Sequence, residues 1–189
     1  MDIADAQRDL RRAYVGGGIG AIVSGLVWFA TAASETRLGT NDAFKVLFVG
    51  GMLIFPVTTL LCRLLGRAKE SGDNPLGFVA LESTVAMIGG LLAAWLFLPH
   101  VPAYALPLAA VAVGTHYAVF KTVYGDRTFW LLAAAITMVG VAAIFDLARL
   151  PLSLAATVGV IEVLFGGLIV ARDWRSPSPA TEQVHQASE

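Results

Sequence analysis

Charge is what this sequence has least of. Only 14% of its 189 residues are Asp, Glu, Lys or Arg, against about 25% in a soluble domain. So few charges cannot cover a water-facing surface. Thirteen basic residues against fourteen acidic ones give a formal charge of -1, so no basic excess exists to neutralise a phosphate backbone, and nucleic acid is not expected as a partner. A lone cysteine, Cys62, excludes an intrachain disulfide framework and a cysteine-based zinc site. The three histidines, His100, His116 and His185, have no ligand spacing, so neither metal nor cofactor is predicted. No G-x-S-x-G surrounds a serine, and Gly16–Ala21 imitates a dinucleotide fingerprint without a preceding strand. Acyl-transfer catalysis therefore has no positive sign, and no catalytic residue is assigned.

Apolar residues, at 57%, fill the space that charge leaves. A bilayer-spanning helix needs about 20 mostly apolar residues. Six stretches meet that length, at 13–33, 43–65, 77–98, 103–123, 128–147 and 152–171. The pattern predicts an all-α polytopic membrane protein with six transmembrane helices. Residues 1–12 form an N-terminal segment, 13–171 the membrane domain and 172–189 a polar, disordered tail. The first stretch is too long for a signal peptide and lacks a cleavage site before a soluble domain. Connections such as GRAKESGDNPL and YGDR are short and rich in breakers or charge.

With the N-terminus inside, ten basic residues face the cytoplasm and only Arg37, Lys45 and Arg149 lie outside. Both termini are thus expected in the cytoplasm of a bacterial cell, with the chain in its inner membrane. Interface-seeking aromatics fit that register, with Tyr14, Tyr124, Trp130 and Trp174 in an inner belt and Trp28, Trp95 and Tyr104 in an outer one.

Helices associate in lipid through small residues that let backbones approach. Gly16, Gly20 and Ser24 form one such stripe on the first span, and Gly17, Ala21 and Gly25 the next. The span is expected at the centre of the bundle or, as a homo-oligomer interface, against a second copy. Pro56 predicts a kink in the second span. VLFVGGMLI at 46–54 and VLFGGLIV at 163–170 are alike, but shared composition accounts for the likeness without an inverted repeat.

Ionisable side chains inside a bilayer need a partner, a cavity or a function. At 1.5 Å per residue, Glu82 lies about 8 Å, His116 about 10 Å and Glu162 about 14 Å from the cytoplasmic ends of their spans. Lys121 is near enough to the surface to snorkel. Glu82 shares a stripe with Ala86, Gly89 and Ala93, His116 with Ala109 and Ala112, and Glu162 lies between Gly159 and Gly166. Small-residue stripes predict that all three groups point into one polar chamber, joined by Ser83, Thr84, Thr115, Tyr117 and Ser24. The competing reading is that Glu82 with His116, or Glu162 with Lys121, merely satisfy one another between helices. A chamber of two carboxylates and an imidazole suits a proton or a cationic or polyhydroxyl solute. The leading expectation is a small-solute or proton-linked transporter or channel. The alternatives are a membrane sensor or interaction protein without a through-path, and a lipid-modifying enzyme with Glu82 and His116 as acid and base.

Four stretches carry a family likeness: ADAQRDLRRAYVGGGIGAIVSGLVW at 4–28, GGMLIFP at 50–56, NPLGFVALES at 74–83 and TVYGDRTFW at 122–130. In these the chain resembles an uncharacterised family of small bacterial integral membrane proteins, domain of unknown function seven thousand and ten. The resemblance implies no activity. It draws attention to NPL leading into Leu81-Glu82-Ser83 and to Tyr124-Gly125, and so to the end expected at the cytoplasm.

Overall fold

The computed structural model describes residues 1–175. They form seven α-helices and no strand: α1 (Ile3–Tyr14), α2 (Gly18–Leu38), α3 (Thr40–Leu64), α4 (Pro75–Trp95), α5 (Ala105–Tyr124), α6 (Thr128–Ile144) and α7 (Leu154–Arg175). Helix α7 continues through Arg175, so the polar tail begins later than the expected residue 172, and its remainder lies outside the described residues.

Five helical stretches are long and apolar enough to cross a membrane, the first running from Ile3 to Leu38. The sixth expected span, α6, has 17 residues and is about 26 Å long at 1.5 Å per residue. That falls short of the roughly 30 Å hydrocarbon core. The helix stops at Ile144, before the expected 147, where Phe145 caps it and Asp146 takes a left-handed φ of 49°.

The N-terminal segment is a helix of its own. The Asp2 carboxylate accepts the Asp5 amide at 2.7 Å, capping α1, and that bond holds the Asp2 carboxyl below its ordinary value. Ala6, Leu10 and Ala13, spaced four and three apart, form its buried face. It ends in a sharp turn where Val15, Gly16 and Gly17 take φ of 52°, 60° and 84°. Glycine adopts such angles at no steric cost, whereas Val15 is strained there. The turn lays α1 across one end of the bundle. There Gln7 donates to the Thr122 carbonyl at 2.8 Å and Arg11 to the Tyr124 carbonyl at 2.6 Å. The Asn74 amide donates to the Ala6 carbonyl at 3.0 Å and to the Asp9 carboxylate at 2.9 Å. Arg67 pairs with Asp173, and Arg172 donates to Thr128, at the same end.

Helices α2 to α7 pack in the order α3, α2, α7, α6, α5, α4. Edge-on contacts of Trp95 with Phe44 and Phe48 then bring α4 back to α3. Two glycine crossings one heptad apart set the antiparallel α2–α7 seam. A Cβ on Gly18 would stand 2.7 Å from the Gly166 carbonyl oxygen, and one on Gly25 2.9 Å from that of Gly159. Gly17 is filled against by Tyr124 and Phe129, and Gly20 faces Thr58. The first-span glycines therefore pack inside the chain, one of the two placements that their spacing allows. Trp28 corrects an expectation: it is buried at 1% exposure, not placed in an outer aromatic belt. Helix α3 runs unbroken through Pro56.

Cys62 is buried at 2% exposure between α3 and the turn after α1. It should resist maleimide in the folded protein and react stoichiometrically once the bundle is unfolded, as intact mass before and after denaturation would report.

Candidate functional site

Ser83 and His116 meet across the α4–α5 contact. Leu76 receives the cap of Asn74 and Pro75 opens the helix, which fixes the start of α4 and thereby the turn on which Glu82 and Ser83 stand. Helix α5 lies between α4 and α6, packed against α6 at Gly114 and Gly140. His116 projects from α5 towards α4. Its Nδ1 and the Ser83 hydroxyl are 2.8 Å apart, and Phe120 meets the imidazole edge-on at 4.7 Å between centroids.

A groove of about 540 Å³ runs alongside this pair. Glu82, Ser83, Thr115 and His116 supply its polar wall, and Val79, Met87 and Val119 much of its apolar wall. Glu82 and Thr115 are exposed. The groove therefore opens sideways, away from the bundle axis. The Thr115 hydroxyl is returned to the Val111 and Ala112 carbonyls of its own helix, and that of Thr84 to Ala80. What remains to meet a guest is the Glu82 carboxylate and the Ser83–His116 pair.

Two expectations are corrected by this placement. The stripe of Glu82, Ala86, Gly89 and Ala93 is an open face, since all four are exposed and a Cβ on Gly89 would touch nothing within 4 Å. Small residues mark a packing ridge only where another helix arrives, and none does. Nor do the three ionisable groups share one chamber. Tyr117, next to His116, turns to the buried side of α5, stacked on Phe129 at 6.4 Å. There it joins Ser24 in facing Glu162, which is 0% exposed. Neither hydroxyl reaches hydrogen-bonding geometry with the carboxyl, and both Glu162 oxygens lack a partner among the described residues. Consecutive residues on α5 thus serve two separate sites. Lys121 belongs to neither, lying over the Trp130 ring at 5.2 Å.

A second pocket, of about 220 Å³, sits under α1 at the charged end, lined by Tyr14, Thr59, Cys62, Arg67 and Glu70 among others. Sequence reading missed it because its walls are assembled by the turn that folds α1 back. Among the described residues no group of three or more His, Cys, Asp or Glu could hold a metal ion.

The sequence matches a family of unknown function, DUF7010, over residues 3–172. The chain belongs to this family. The match covers all seven helices but the last three residues of α7, and takes in both Glu82 and Glu162. A family of unknown function brings no activity with it, so function has to be argued from the site. No curated protein and no solved structure matches the chain.

Proposed function

We propose that this member of DUF7010 is a six-span protein of the bacterial inner membrane, with both termini cytoplasmic, that binds and moves a small cationic amphiphile through the α4–α5 groove. The observation that carries this reading is the Ser83–His116 hydrogen bond beside an exposed Glu82 in a groove that opens sideways. One carboxylate and no Lys or Arg line the groove, which favours a cation. Its apolar wall favours a guest with a hydrocarbon part, and its open flank admits one from the lipid. Placement of α6 as a sixth span rests on its apolar character, with local thinning of the bilayer accommodating its length. Sidedness rests on the basic residues: Arg11, Arg67, Arg172 and Arg175 stand at the end that α1 covers, as a cytoplasmic face requires.

Enzymatic use of the pair is disfavoured by its setting. Ser83 and His116 stand inside regular helices, where backbone amides are already bonded four residues back. No amide is free beside Ser83 to stabilise an oxyanion, which is the larger part of acyl-transfer catalysis.

Reconstituted protein tests the proposal with tetraphenylphosphonium as the probe cation. Wild type is expected to bind it and to accelerate its passage across vesicles. Glu82→Gln should weaken binding at least tenfold, about 1.4 kcal/mol, and bring flux to the protein-free rate. Absence of binding by folded wild type, or equal binding by Glu82→Gln, would overturn it.

A further inference from the structure

A second carboxyl, away from the groove, has no visible means of carrying charge. Glu162 projects from the middle of α7 into the junction with α2 and α5, fully enclosed, with both oxygens unpartnered. The groups facing it are the Ser24 hydroxyl from α2 and the Tyr117 hydroxyl from α5, and no lysine, arginine or histidine is among them. An ionised carboxylate without a counter-charge or hydrogen bonds is among the costliest occupants of a dry interior. Two hydroxyls and one carboxylate also fall short of the six or so oxygens that a metal cation takes. A proton needs only the carboxylate.

The surroundings give that proton a consequence. Glu162 stands on the α2–α7 seam itself. A Cβ on Gly25 would lie 3.2 Å from the Glu162 Cβ and 2.9 Å from the Gly159 carbonyl, so the helices have no slack beside the carboxyl. Loss of the proton would leave a carboxylate with only the Ser24 and Tyr117 hydroxyls to turn to it, and the seam is what stands between it and water.

We propose that Glu162, with Ser24 and Tyr117, is a proton-binding site whose occupancy holds the α2–α7 seam closed. The site is distinct from the groove. The ring of Tyr117, which lies 6.1 Å from that of His116 on the same helix, is the element common to both. The inference does not depend on what the groove binds, and its test reads no transport.

Two measurements on the purified full chain decide it. Infrared difference spectra taken against pH should contain a protonated-carboxyl band that disappears on alkalinisation and is missing from Glu162→Gln. Spin labels on Leu26→Cys of α2 and Leu164→Cys of α7, both exposed positions, should move apart over the same pH range in wild type and stay close in Glu162→Gln. A conservative variant covers the case in which Glu162→Gln does not fold. Tyr117→Phe removes a hydroxyl able to donate to the ionised form, so the band should be lost at a pH higher by roughly one unit. A band unaffected by Glu162→Gln, label separation independent of pH, or an unshifted transition in Tyr117→Phe would each overturn the proposal.

Discussion

Gly166→Ala is expected to destabilise the bundle, and Gly167→Ala, one residue on, to leave it as stable or slightly more so. At Gly166 the added methyl would stand 2.7 Å from the Gly18 carbonyl oxygen and 2.9 Å from the Ile22 amide nitrogen. Both are backbone atoms, so no rotamer change relieves the clash and the two helices must separate. Overpacking of a tight core costs about 1–3 kcal/mol. Here the upper part of that range applies, because close backbone approach is the principal attraction between helices in lipid. At Gly167 nothing lies within 4 Å, and alanine gains up to about 1 kcal/mol of helix propensity. Melting in detergent should separate the two variants by roughly 4–16 °C for a chain of this size. Gly18→Ala should behave as Gly166→Ala does, and the double variant should lose less than the sum, since one displacement of the seam relieves both methyls. Equal melting temperatures for Gly166→Ala and Gly167→Ala would contradict the seam.

The second large effect is expected at Asn74, a residue 3% exposed that joins three parts of the chain. Its side-chain oxygen accepts the Leu76 amide at 3.0 Å and caps α4. Its amide group holds α1 through Ala6 and Asp9. A cap is worth about 0.5–2 kcal/mol, and a hydrogen bond to a carboxylate about 1.5–3 kcal/mol. Asn74→Ala should cost about 2–4 kcal/mol in total, allowing for Asp9 keeping its bond from the Ser71 amide. Asn74→Asp separates the two roles. It retains an oxygen for the α4 cap but sets a second negative charge against Asp9, so α1 should be released while α4 remains helical. Limited proteolysis near Arg8 and Arg12, both exposed, would show α1 cut faster in Asn74→Asp than in wild type. Equal cutting would show that Asn74 does not hold α1.

Much of this architecture was legible in the sequence, because apolar length and loop chemistry are local properties. Span ends came within a few residues of the helices at α3, α4, α5 and α7. The N-terminal helix was not read, although Asp2 followed by Ala6, Leu10 and Ala13 is an N-cap before an amphipathic period. With few large apolar residues, the segment gives no span-like signal.

The site was half legible. Residue type and depth singled out Glu82, Ser83, His116 and Glu162, yet spacing on one helix cannot say whether a second helix comes to meet it. Glu82 and Glu162 both stand among small residues, and one is exposed while the other is sealed. The difference lies in α2, whose glycines approach α7 and leave the outer face of α4 uncovered. Trp28 failed for the same reason, since an aromatic near a span end seeks the interface only when no core is nearer.

The latch formed by α1 bears on the order in which the molecule is completed. α1 is held first by Ser71 and Asn74, 62 to 68 residues further on, and then by the carbonyls of Thr122 and Tyr124, which follow 115 and 113 residues after the side chains that grip them. During synthesis the helix can therefore seat in two steps, on the start of α4 and later on the end of α5. A nascent chain halted between Asn74 and Thr122 should leave α1 half fastened, cut by proteases faster than in the full chain.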